Sequence, residues 1–154
     1  MSVEITDWDA DLVRTYLRQD DEKLRSMVSG ITPRAEIDGA GLLLRAAFVE
    51  AAYRRFEGGT RADVIRFVAH ARIRRGRNAP PIDAAAAERL IVAALTGGRA
   101  EGLTELQRAQ QVILLGELVE DEDLTEAELE AFLQTVRGHA ERLAASLPGP
   151  PQAG

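Results

Sequence analysis

The sequence predicts an all-α fold: a compact, bundle-like single domain of six or seven helices around a central helix near residues 42–57. Three observations predict it. The 154-residue chain is 45% hydrophobic but only 5% aromatic, and text rich in alanine and leucine favours helix. Apolar residues recur at helical spacing along the chain, and no stretch sustains the two-residue alternation of a strand. Three threonines stand where a hydroxyl can satisfy an orphan amide while the side chain three positions on reaches back: Thr60 with Asp63, Thr104 with Gln107, and Thr125 with Glu128.

Residues 1–6 read as an extended lead. Thr6 or Asp7 then caps a helix whose apolar stripe is Trp8, Leu12 and Tyr16 with Val13 and Leu17 alongside, and Asp9 and Asp11 suit the positive end of its dipole. Asp20 opens a second, short helix carrying Leu24, Met27 and Val28, with Gly30 as its stop. "TPRAEI" starts a further turn or two at Pro33, which Gly39 and Gly41 weaken. From Leu42 onward Leu42, Ala46, Val49, Tyr53 and Phe56 share one side, and Leu44, Phe48 and Ala51 another. Only a strip near Glu50, Arg54 and Glu57 is polar, which marks a central helix contacted on more than one face and ended by Gly58 and Gly59.

With Asp83 as a fourth cap, the second half divides into helices near 61–75, 84–96, 105–120 and 126–146. The first buries Val64, Phe67, Val68 and Ala71, and Gly76 is placed to cap its end, where Arg72, Arg74 and Arg75 complement the dipole. A continuing helix would turn Arg75 toward its apolar side, so the helix is expected to fray or stop there. The helix at 105–120 shows Leu103, Leu106, Ile113 and Leu114 on one face and Val112, Leu115 and Val119 on another, as if it touched two layers. The last helix packs through Leu129, Phe132, Leu133, Val136, Ala140 and Leu143. Residues 7–146 are thus read as one helical domain, and 147–154, "LPGPPQAG", as a disordered tail.

Charge is the least ordinary feature. Between residues 54 and 77 eight arginines face only Glu57 and Asp63, a local charge of +6 that leaves −12 for the rest of a chain whose total is −6. Glu117 to Glu130 holds eight carboxylates and no basic residue. The two patches can meet within one chain, across a subunit contact, or on other partners. Opposite charges at range orient partners more than they add affinity.

Chemistry finds few footholds. Without cysteine there is no disulfide, zinc thiolate or thiol nucleophile. Neither His70 nor His139 sits in E-x-x-H or H-E-x-x-H, the serines lack a nucleophile elbow, and the glycine-containing segments lack a P-loop lysine. Asp121 and Asp123 begin an EF-hand-like alternation, but the sixth loop position is Glu126 instead of glycine and the twelfth is Phe132. No catalytic, metal or cofactor site is expected. No apolar run approaches a membrane span and the N-terminus is not a signal peptide, so the expected location is the cytoplasm.

The functional expectation is a noncatalytic helical domain for protein interaction or regulation, self-association included, with partner-binding residues Arg66, His70, Arg74 and Arg77 on a basic face and Asp121 and Asp123 on an acidic one. The alternative is a nucleic-acid-associated regulator that uses the 54–77 arginines on phosphates. Against it, the linker at residues 76–83 is too long and proline-rich for a helix-turn-helix, and the following helix exposes mainly Glu88 and Arg89. A small-ligand protein or enzyme of unknown class is the third reading.

Overall fold

Residues 3–29, 37–75, 81–97 and 104–146 are described by a computed structural model. Among them 84% are helical, in seven helices, and no strand is present. The order is α1 (Asp7–Leu17), α2 (Asp21–Ser29), α3 (Ile37–Phe56), α4 (Arg61–Arg75), α5 (Ala84–Leu95), α6 (Glu105–Glu122) and α7 (Glu126–Ser146). The caps explain the boundaries. Thr104 with Gln107 and Thr125 with Glu128 form reciprocal boxes, and Asp83 accepts the Ala86 amide. At Thr60 only the returning half forms, the Asp63 carboxylate accepting the Thr60 amide at 2.8 Å. A fourth box, Thr6 with Asp9, starts α1.

The helices group into two compact units. One takes the described residues up to Ala47 and those from Leu124 on; the other is Phe48–Asp123. Helix α3 therefore contributes its first half to one unit and its second half to the other. It begins at Ile37, earlier than the 42–57 expected, because Gly39 and Gly41 lie inside it and do not interrupt it. It ends where Gly58 takes φ +75°, a backbone conformation that favours glycine.

In the first unit, α1 buries Val13 and Leu17, α3 buries Leu43, and α7 buries Leu129, Phe132, Leu133, Val136 and Ala140. At the end of α7 the buried residue is Ala144, and the expected Leu143 is partly exposed. Helix α2 buries nothing outright and rests on α1, with Met27 Sδ 3.6 Å from Thr15 Oγ1. Gly39 marks a close approach: a Cβ there would meet the Asp9 carboxylate and the Glu4 carbonyl, the latter at 2.8 Å. Asp9 is itself buried, with Oδ2 accepting both the amide and the hydroxyl of Thr6 at 2.9 Å.

Helices α1 and α7 are joined by a two-pronged ion pair, Arg14 Nε to Glu130 Oε1 at 2.6 Å and Nη2 to Oε2 at 3.0 Å. Parallel guanidinium–carboxylate bonds are the geometry that makes such a pair directional. The Arg14 hydrogen bond holds the Glu130 carboxyl below its ordinary value of 4.5. A depressed carboxyl contributes stability that is present above its unfolded-state pKa and lost as pH falls through the folded-state value. Glu130→Gln is therefore expected to be less stable than wild type at neutral pH and to lose less on acidification from about pH 5 to about pH 3. Urea midpoints across that range check it, and a constant gap between the two proteins would refute it.

In the second unit, α4 buries Val64, Phe67, Val68 and Ala71 as its period predicts. Helix α5 buries Ala87, Leu90, Ile91 and Ala94, and α6 buries Leu114, Leu115, Leu118 and Val119. Leu106, expected to face a layer, is 69% exposed. Buried Gln110 secures the entry to α5, donating Nε2–H to the Pro81 carbonyl and accepting the Asp83 amide, each at 3.0 Å. One amide side chain thus satisfies two backbone groups that the prolines keep out of a helix. Tyr53 donates its hydroxyl to the Leu95 carbonyl at the end of α5.

Candidate interaction surface

The arginine-rich stretch folds as the last turn of α3 and the whole of α4. Four of its guanidiniums meet carboxylates of α6 inside the same unit. Arg54 reaches Glu122 at 2.6 Å, Arg55 reaches Asp121 at 2.9 Å, Arg74 lies 3.0 Å from Glu117 and 3.5 Å from Asp121, and Arg75 lies 3.4 Å from Glu117. The basic and acidic segments therefore neutralise one another within the chain. Arg75 is the last residue of α4, and its side chain turns inward to Glu117, whose side chain is only 9% exposed. On the first unit, Glu126 and Glu130 are likewise taken, by Arg18 and Arg14.

Most of these pairs are half exposed, and such pairs contribute about 0–1 kcal/mol each. Burying one Val or Phe side chain of α4 contributes about 1.5–3 kcal/mol. Apolar packing holds α4 in place, and the ion pairs fix its register against α6. Phe67 stacks edge-on to Phe56 with centroids 5.5 Å apart, and the Arg55 guanidinium lies over both rings on its way to Asp121.

Of the expected site residues, Arg66, His70, Arg74 and Asp121 come together, lining one recess of about 240 Å³ with Arg55, Asp63 and Phe67. Arg66 is held by Asp63 at 2.7 Å. The Thr60 amide, first among its partners, keeps the Asp63 carboxyl below its ordinary value, and Arg66 and Arg55 add to the effect. Asp123 does not join them: it closes α6 in the left-handed conformation, φ 53° and ψ 57°. Arg77 and Gly76 lie outside the described residues. The charged groups of the recess wall pair with one another, Arg55 and Arg74 with Asp121 and Arg66 with Asp63, which leaves little free charge to hold a small anion. No group of three metal-ligating side chains occurs among the described residues.

The outward face of α4 is different. Ile73 is 78% exposed and Ile65 45% exposed, and with Ala69 they form a row spaced four residues apart. Rows at this spacing are the ridges by which helices pack. Arg61 borders the row at its N-terminal end, Arg72 on one side and Arg66 and His70 on the other, at about 100° per residue around the axis. Neither Arg61 nor Arg72 makes an ion pair among the described residues. Sequence reasoning missed the isoleucines because they stand among Arg61, Arg66, His70 and Arg72 on the side opposite the apolar stripe. The signal was present as Ile65, Ala69 and Ile73 opposite Val64, Phe67, Val68 and Ala71.

No helix among the described residues is long and apolar enough to cross a membrane. The chain matches no family model, no curated protein and no solved structure.

Proposed function

We propose that the chain is a noncatalytic protein-interaction domain that docks through the outward face of α4. The observation that carries this reading is the exposure of Ile65 and Ile73 in one row on a helix whose opposite side is fully buried. Scattered apolar residues on a surface are ordinary, but a row at packing distance with a polar rim is what a partner helix fits. The expected residues Arg66 and His70 keep their place as part of that rim. Arg74 and Asp121 serve the ion-pair network behind it, because each is already paired. The nucleic-acid alternative is less supported, since Arg54, Arg55, Arg74 and Arg75 spend their charge on α6 and binding to a polyanion scales with the phosphates neutralised.

One helix face buries less than a standard interface, so an affinity of about micromolar is expected. The test is to recover partners from the native cell with wild type and with the double variant Ile65→Asp, Ile73→Asp. Both side chains lie outside the core, so the variant should melt as wild type does while losing its partners. Recovery of the same proteins by a folded double variant would remove the reading.

A further inference from the structure

We infer that the occupant of the α4 ridge is an acidic amphipathic helix of about four turns supplied by another protein. This rests on the docking face proposed above and specifies what it takes. The shape comes first. Ala69 is small and stands between Ile65 and Ile73, so the row is two knobs with a dip between them. A leucine-sized side chain on a facing helix fits such a dip. From Arg61 to Ile73 the face runs about 18 Å at 1.5 Å per residue, which a partner of about 14 residues covers.

The charge decides the sign. Arg61, Arg66, His70 and Arg72 border the ridge. The carboxylates that share a recess with Arg66 and His70 are both held, Asp63 by the Thr60 amide and Arg66, and Asp121 by Arg55 and Arg74. A partner with glutamates or aspartates beside its apolar row meets the guanidiniums of Arg61 and Arg72, which make no ion pair among the described residues, whereas a basic one is repelled by them. A second copy of this chain presenting α4 would set these cations against themselves, and its acidic segment is largely committed to Arg14, Arg18, Arg54, Arg55, Arg74 and Arg75. Residues 30–36, 76–80, 98–103 and 147–154 carry at most one acidic side chain each, so none supplies the complementary charge. A nucleic acid would satisfy the arginines but gain nothing from the isoleucines between them.

The probes are three labelled molecules read by fluorescence anisotropy against the full chain: a helical peptide of about 14 residues with leucines in one row and glutamates on both flanks, the same peptide with lysines for glutamates, and a duplex oligonucleotide of about 20 base pairs. The glutamate peptide is expected to bind at about micromolar Kd, at least about tenfold tighter than the lysine peptide, and to weaken severalfold between about 50 mM and about 300 mM salt. Ile73→Asp, and separately Arg61→Glu with Arg72→Glu, should each weaken it by about tenfold or more with the melting curve unchanged. Equal binding of the two peptides, preference for lysine, or tighter binding of the duplex overturns the acidic-helix assignment. If Ile73→Asp still abolishes binding of whichever peptide is preferred, the docking face survives that failure. If Ile73→Asp changes no probe's affinity, or no probe binds, both the assignment and the face fall.

Discussion

Glu117→Ala is expected to destabilise the protein by about 2–3 kcal/mol, a fall in Tm of roughly 5–10 °C. The Glu117 carboxylate is nearly enclosed and faces two guanidiniums, with Oε2 3.0 Å from Arg74 and Oε1 3.4 Å from Arg75. Oε2 has no hydrogen bond, so it is held by charge at ion-pair distance and not by a directed N–H. Removing the carboxylate takes from Arg75, whose side chain is only 18% exposed, and from Arg74 an anion that offsets part of their desolvation. A fully buried pair loses more when one partner goes, and solvent access to Arg74 reduces the effect here. Arg74→Ala should cost less than about 1 kcal/mol, since Arg75 still answers Glu117 and Arg74 is 40% exposed. Urea unfolding of both variants checks the ordering. A loss for Glu117→Ala no larger than that for Arg74→Ala would show that the carboxylate is no keystone.

Gly39→Ala and Gly41→Ala should move stability in opposite directions. Both glycines lie in α3, where alanine normally gains about 0.5–1 kcal/mol over glycine. At Gly41 a Cβ meets nothing within 4 Å, so that gain should be realised. At Gly39 the Cβ would collide with the Asp9 carboxylate and press on the Glu4 carbonyl at 2.8 Å. Asp9 cannot swing away without surrendering the Thr6 amide and hydroxyl, and losing a cap costs about 1 kcal/mol before overpacking is counted. The expected net loss is about 2 kcal/mol, so the two variants should differ by about 3 kcal/mol although they stand two residues apart. Thermal melts of both decide it, and a rise in Tm for Gly39→Ala would mean that the approach of α1 to α3 is looser than the geometry shows.

Much of the helical framework was legible because its signals are local. Thr60, Asp83, Thr104 and Thr125 announce their helices locally, and α4, α5, α6 and α7 start within a residue of where those caps put them. The buried side of α4 followed from its period. What was not legible is whatever depends on which distant segment arrives. Arg55 meets Asp121 across 66 residues and Arg54 meets Glu122 across 68, so the arginine cluster looked free when it was committed. Arg75 looked misplaced on an apolar side because its answer, Glu117, lies 42 residues on. Gly39 looked like a helix breaker because only the fold brings α1 against it. The exposed row of Ile65 and Ile73 escaped for a different reason, since it stands among the charged residues of the side that the period of α4 leaves outward.

The division of the chain between its two units has a consequence for the order of synthesis. Phe48–Asp123 is contiguous, so its arginines and their carboxylates are all available once residue 123 has emerged. Arginines 54 and 55 precede those carboxylates by 68 and 66 residues, an interval of roughly 3–14 s at ordinary elongation rates. During that interval Arg54 and Arg55 lack the α6 carboxylates that pair with them in the folded unit. The other unit waits longer, because Arg14 on α1 has its partner Glu130 on α7, 116 residues away. The unit built from the two outer parts of the sequence is thus completed last, and α1 and α2 remain without α7 until nearly the whole described chain exists.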